Sequence, residues 1–201
     1  MIKTIIFDLG GVVVAPFGNE LLKNASQKLN IEADELRQLM NQYEIELQTG
    51  KIDHIEFWQK ILRDKNLSVS EEVLQELWLE PYIENAKIDI EVLDLIKLLH
   101  QNYFIGCISN SQEPHNTYNR NRGLFEYFDL VLLSNEIGIR KPDKEIFELF
   151  LAKTNFKPEQ TVFIDDEEKL LENARMMGIN TIHFENAKRL ELTLRNMGVI
   201  S

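Results

Sequence analysis

Short apolar runs recur along the chain, and stretches with helical spacing fill the intervals between them. Residues 3–8 carry Ile5, Ile6 and Phe7 with no sustained polar alternation. A half-exposed strand alternates apolar and polar residues, whereas a strand covered on both faces does not, so this run predicts a strand inside a parallel sheet. Similar runs lie at 103–109, 129–134, 161–165 and 180–184. Between them, residues 89–100 place Val92, Leu93, Leu95, Ile96 and Leu99 at helical spacing. Residues 143–153 do the same with Ile146, Phe147, Phe150 and Leu151. Leu170, Leu171, Ala174 and Met177 mark a helix over 167–177, and Leu190, Leu194 and Met197 mark one over 187–197. Strand and helix alternate from residue 89 onward, which predicts an α/β fold with a doubly wound parallel sheet.

The interval 17–85 breaks this rhythm, with helical signals and no strand. The segment "DHIE" (53–56) fits a capping box led by Asp53, "SVSE" (68–71) fits a second, and Gly50 closes the helix before them. The reading is a core of residues 1–16 and 86–201, interrupted after its first strand by a helical cap of residues 17–85. Such an insert begins and ends at the carboxyl edge of the sheet, where open α/β sheets bind ligands.

Composition narrows the partners. Twenty-two basic against 33 acidic residues give a net charge of −11, which disfavours nucleic acid and anionic membrane surfaces. The single cysteine, Cys107, sits among Phe104, Ile105 and Ile108, reads as a buried strand thiol and cannot form an intrachain disulfide. No apolar stretch approaches the roughly 18 residues of a membrane span, and the start of the chain lacks a signal-peptide pattern. The expectation is a soluble cytoplasmic protein, a monomer or weak homodimer.

The chemistry gathers at predicted strand ends. Asp8 ends the first strand, and Asp165 and Asp166 end a later one. In a parallel sheet these ends point the same way, so the three acids can converge. Converging carboxylates repel one another unless a cation sits between them, and oxygen-only ligands favour a hard ion such as Mg²⁺. Singly, each acid is better read as a helix or turn cap; together they favour the ion. Ser109 and Asn110 follow the strand "FIGCI" and offer a hydroxyl, an amide and backbone N–H groups to phosphate oxygens. Lys141, held extended before Pro142, can reach a phosphate as a point charge, while Arg140 is read as facing solvent.

Together these segments resemble the haloacid dehalogenase superfamily over nearly the whole chain. "IIFDLGGVV" is similar to its first motif, "CISNS" to the second, "IGIRKPD" to the third and "FIDDEEKLLENARMMGINTIHF" to the fourth. The insert resembles the family's helical cap, with "GKIDHIEFW" similar to a cap segment of its phosphatases. The nearest branch by this resemblance contains a bacterial alpha-D-glucose-1-phosphate phosphatase and the amino-terminal phosphatase domain of soluble epoxide hydrolase. The resemblance implies an Mg²⁺-dependent phosphatase acting on a small phosphorylated metabolite, a sugar phosphate being favoured. Asp8 would be the nucleophile, and Ser109, Asn110 and Lys141 would hold the phosphate. Asp8, the Gly10 carbonyl, Asp165 and Asp166 would hold the metal. On this view Gly10 lets the backbone turn its own carbonyl toward the ion.

Three positions depart from the common pattern. Gly10 stands where most of these phosphatases carry an aspartate that serves as general acid and base, although sugar-1-phosphatase relatives also have glycine there. Leu170 stands where many relatives place an asparagine, and Val12 where others have threonine. His115 and Glu113 are candidates for the missing acid. Phe17, Tyr43, Phe57 and Trp58 are candidates for lining the cap entrance. Two rival readings are a haloacid dehalogenase, which would have no use for the paired acids, and a catalytically weak binding or regulatory protein on the same fold.

Overall fold

The computed structural model describes residues 1–200. Five parallel strands form one sheet: β1 (Thr4–Phe7), β2 (Phe104–Ser109), β3 (Leu130–Leu133), β4 (Thr161–Asp165) and β5 (Asn180–His183), in the spatial order β3-β2-β1-β4-β5. The helices, in chain order, are α1 (Gly18–Leu29), α2 (Ala33–Gln48), α3 (His54–Asp64), α4 (Glu71–Asn85), α5 (Ile90–Leu99), α6 (Glu113–Asn121), α7 (Ser134–Ile137), α8 (Lys144–Thr154), α9 (Glu168–Met176) and α10 (Ala187–Asn196).

Side chains alternate across the sheet, so each strand feeds two cores. Ile5, Phe7, Ile105, Cys107, Val162 and Ile164 enter one apolar cluster with α5 (Val92, Ile96) and α10 (Leu190, Leu194). Ile6, Ile108 and Phe163 enter the other with α8 (Phe147, Phe150) and α9 (Leu171, Ala174). That double burial explains the unbroken apolar runs.

From central β1 the chain winds outward through β2 and β3, then crosses back to β4 and β5. Neighbouring β1 and β4 therefore lie where the winding reverses. A crevice opens there at the carboxyl ends of the strands. Register puts Phe7 level with Cys107 and Ile164, so the residues that follow on β1, β2 and β4 emerge at one edge.

Helices α1–α4 bury an apolar cluster of their own, built from Leu21, Leu36, Phe57, Trp58, Ile61, Leu74, Leu77 and others. The two chain crossings that join them to the sheet run side by side: Ala15 N–H donates to the Lys87 carbonyl (2.8 Å) and Asp89 N–H to that of Val13 (2.9 Å). Asp53 caps α3 as its sequence suggests, accepting from the Ile55 and Glu56 amides. The second expected cap is displaced: α4 starts after Ser70, with no side-chain cap bond, rather than after Ser68. Val69 is drawn against the cap's apolar cluster, which sets the later start. Cys107 is buried, and burial pushes its thiol far above the ordinary value, so it is inert. Among the described residues no helix is long and apolar enough to cross a membrane.

Candidate active site

Four side chains from three separate segments meet at the carboxyl edge. Asp8 directly follows β1, Asp165 ends β4, Asp166 follows it, and Lys141 arrives from the loop between α7 and α8. Asp8 is 6% exposed, Lys141 1% and Asp165 not at all, so these charges face one another with almost no water. The Lys141 ammonium lies 2.6 Å from Asp8 Oδ1 and 2.6 Å from Asp165 Oδ2. Each of Asp8, Asp165 and Asp166 offers a carboxylate oxygen, and the three atoms lie within 4.8 Å of one another. Asp165 is the most committed of the three, because its Oδ1 also accepts the Glu167 N–H at 2.9 Å.

Lys141 is held by its backbone. Asn110 forms a reciprocal pair with it: the Lys141 N–H donates to Asn110 Oδ1 (2.8 Å) and Asn110 Nδ2 donates to the Lys141 carbonyl (2.9 Å). The side chain of Asn110 is thus spent on the lysine's main chain and positions Lys141. One residue on, Asn173 Nδ2 donates to the Pro142 carbonyl at 2.7 Å. Asn173 was not picked out by the motifs. It lies one helical turn beyond Leu170 on the same face of α9, so helical period was the signal available. Leu170 itself is 5% exposed and apolar at the cavity wall. Arg140 does not face open solvent: it is half-buried on that wall, and its Nε donates to the Lys141 carbonyl at 3.1 Å.

The glycine pair divides its work otherwise than expected. Gly11, not Gly10, adopts the left-handed backbone, with φ of 79°. A Cβ there would overlap the Asp166 carboxylate, so Gly11 both makes the turn and admits the acid. A Cβ at Gly10 would meet nothing within 4 Å. Val12 is core, 2% exposed.

Ser109, 4% exposed at the end of β2, lines the same cavity and makes no side-chain hydrogen bond to another described residue, so its hydroxyl is open to a ligand. Burial pushes the Asp8 carboxyl up to about 7, with Lys141 pulling it down and Asp165 adding to the rise. Burial also raises Asp166, again with a contribution from Asp165. Burial works against the charge on Lys141, but the two carboxylates outweigh it and raise its pKa. Three carboxyl groups against one ammonium concentrate excess negative charge, with Asp8 and Asp165 buried and Asp166 half-buried. Such charges are costly unless balanced. An all-oxygen donor set carrying that charge fits a hard divalent cation such as Mg²⁺.

A cavity of 410 Å³ extends from Asp8 toward α1–α4. Phe17 and Phe57 line it. Trp58 is fully buried in the helices' own cluster, and Tyr43 instead donates to Asp64 Oδ2 at 2.8 Å, so neither forms the wall. His115 does line it, but both ring nitrogens are engaged, Nδ1 with the Gln112 amide (2.8 Å) and Nε2 with the Trp78 carbonyl (3.3 Å). Its ring stacks on Tyr82 at 3.9 Å, and burial pushes its pKa down to about 3. The one N–H of the neutral imidazole is spent on the Trp78 carbonyl, and Glu113 is exposed and accepts from Thr117, so the structure favours neither as the missing acid.

A parallel sheet with a helical insert after β1, a buried aspartate at that strand's end and paired acids across from a lysine make up the arrangement of a haloacid dehalogenase-like hydrolase. The sequence profile of haloacid dehalogenase-like hydrolases matches residues 2–178, and the chain belongs to that family. It is 29% identical, over 208 aligned positions, to D-ribitol-5-phosphate phosphatase of Bacteroides thetaiotaomicron, covering 96% of this chain and 98% of that one. It is 23% identical to pig bifunctional epoxide hydrolase 2 over 90% of this chain but only 36% of that larger protein. Among solved structures, a family enzyme from B. thetaiotaomicron in complex with magnesium and inorganic phosphate superposes with a TM-score of 0.79 at 25% identity, covering 94% of this chain and 99% of that one.

Proposed function

We propose that the protein is an Mg²⁺-dependent phosphatase that hydrolyses a small phosphomonoester, a sugar or polyol phosphate, through an aspartyl-phosphate on Asp8. The observation that carries this reading is the cluster of buried Asp8, Asp165 and Lys141 with half-buried Asp166 at the switch point of the sheet. The B. thetaiotaomicron phosphatase supports the substrate class through its similarity along the whole chain. In this reading residues 1–16 and 86–201 form the catalytic core and residues 17–85 the cap that closes over it. The single buried thiol accords with a cytoplasmic setting.

Asp8, the Gly10 carbonyl, Asp165 and Asp166 are the groups proposed to hold Mg²⁺. When bound, the ion supplies positive charge that lets an anionic nucleophile approach an anionic phosphate. Lys141 pairs with Asp8 Oδ1, leaving the second oxygen to attack phosphorus. The phosphorus–oxygen bond to the leaving group breaks as the aspartyl-phosphate forms, dividing one difficult displacement into two easier ones. The Lys141 ammonium, the Ser109 hydroxyl and the backbone N–H groups near Asn110 hold the non-bridging oxygens. Gly10 carries no acid, so the leaving oxygen takes its proton from water. Water then attacks the same phosphorus, releases inorganic phosphate and restores the Asp8 carboxylate.

The test is phosphate release from a panel of sugar and polyol phosphates, p-nitrophenyl phosphate and a haloacid. Turnover of phosphate esters that stops with EDTA, returns with Mg²⁺ and falls on the order of 10³-fold or more in Asp8→Asn is expected. A panel with no hydrolysed ester, or halide release that persists in EDTA, refutes the reading.

A further inference from the structure

Three cations line the cavity that contains Asp8: Arg140, Lys141 and Lys169. Two of them are answered by acids. Lys141 pairs with Asp8 and Asp165. Lys169 pairs with Glu167 at 2.7 Å, and that carboxylate raises its pKa; Glu44, which lines the cavity from α2, adds to the rise, and Arg140 opposes it. Arg140 pairs with no carboxylate among the described residues. Its Nε instead donates to the Lys141 carbonyl at 3.1 Å, and Asn110 Nδ2 donates to the same oxygen at 2.9 Å. That shared acceptor fixes the base of the guanidinium beside Asn110, which directly follows Ser109 at the end of β2. The two terminal NH₂ groups make no hydrogen bond with the protein and are not sealed from the cavity, since Arg140 is only half-buried and neither nitrogen is among the buried unpaired atoms.

We infer that Arg140 reads a carboxylate on the leaving group, so that the substrate is the phosphate ester of a hydroxy acid, a sugar acid rather than a plain polyol. This rests on the phosphatase reading and narrows its substrate class. In a chain with 33 acidic and 22 basic residues, a wall cation left without an acid is the group free to meet an anion from outside. The phosphoryl group does not need it, because Lys141, Ser109 and the proposed metal already serve those oxygens. With Nε anchored, the two terminal NH₂ groups present a planar fork, which two carboxylate oxygens match with parallel, charge-assisted bonds. The charge of the wall favours a carboxylate over a second phosphate. Glu44 and Glu167 line the same cavity, and they repel a dianion about twice as strongly as a monoanion. A cavity of 410 Å³ accepts a short sugar-acid phosphate.

The experiment compares kcat/KM within matched pairs. Glyceric, erythronic and gluconic acids, each phosphorylated at the end remote from the carboxylate, are set beside glycerol, erythritol and glucitol phosphorylated at the same position. The members of a pair differ only in a carboxylate against a hydroxymethyl group, and the three lengths cover the reach to Arg140. The wild type is expected to favour the acid by about tenfold or more in at least one pair. In Arg140→Gln the ratio should fall to within about twofold of parity, and Arg140→Lys, which keeps the charge and loses the fork, should retain part of it. Because Arg140 also touches the Lys141 carbonyl, a general loss of activity falls on both esters and cancels in the ratio. Parity in every pair for the wild type, which needs no variant, overturns the assignment while Mg²⁺-dependent hydrolysis of p-nitrophenyl phosphate leaves the phosphatase standing. An acid preference that Arg140→Gln retains also overturns it. So does a preference for fructose bisphosphate over fructose monophosphate with parity in the acid pairs. Failure on every ester overturns both readings.

Discussion

His115 makes stability depend on pH in a way that can be worked through. In the folded protein the neutral ring, with its proton on Nε2, donates to the Trp78 carbonyl and accepts at Nδ1 from Gln112. Packing against Tyr82 and Phe17 keeps water away. Its pKa is pushed from 6.5 down to about 3, so the unfolded chain binds the proton and the folded chain does not. Stability from this group is complete above 6.5 and is lost as pH falls below it. At pH 5.5 the unfolded imidazole is protonated roughly tenfold over, while the folded one stays neutral, so unfolding gains about 1.4 kcal/mol relative to pH 7.5. Urea unfolding of wild type and His115→Gln at the two pH values isolates the contribution, because the other titrating groups are common to both. The wild type should lose about 1.4 kcal/mol more than the variant between pH 7.5 and 5.5. Equal pH dependence in the two proteins would refute a buried neutral histidine, and would return His115 to the list of proton donors.

Three further outcomes follow from the site. Gly11→Ala places a side chain at φ 79° against the Asp166 carboxylate; it should cost about 1–3 kcal/mol of stability and weaken Mg²⁺ binding in titration calorimetry. Asn173→Ala frees the Pro142 carbonyl beside Lys141 and should lower kcat roughly five- to tenfold, a change that steady-state kinetics reads directly. Gly10→Asp has room for its side chain; supplying an acid and base there should raise kcat at least about tenfold for alkyl leaving groups, while for p-nitrophenolate, which departs without a proton, the initial release changes little and only the steady rate rises.

The sheet was legible because burial on both faces leaves runs such as Ile5–Phe7 with no polar member, and the site because Asp8, Ser109 and Asp165 sit at the ends of those runs. The division of labour among neighbours was hidden. Asn110 has the chemistry of a phosphate ligand, yet a loop distant in sequence brings the Lys141 backbone within its reach. Which glycine of the pair takes the left-handed turn depends on where Asp166 lies, and the sequence near residue 11 holds no trace of that. Ser68 lost the α4 cap to Ser70 through the packing of Val69. The cap aromatics separate by which helix face meets the cavity, and Phe57 and Trp58, adjacent in the chain, part company there.

The open space beside Gly10 also governs time. An aspartate at this position would work in both half-reactions, first protonating the departing alcohol and then drawing a proton from the incoming water. Without it, both formation and discharge of the proposed acyl phosphate would be slow, and for esters whose alcohol leaves readily the discharge, which is the same for every ester, would become the slower step. On the proposed mechanism the phosphorylated protein would then accumulate with such esters: a burst would precede the steady rate, and an added alcohol that fits the cavity would compete with water for the phosphoryl group.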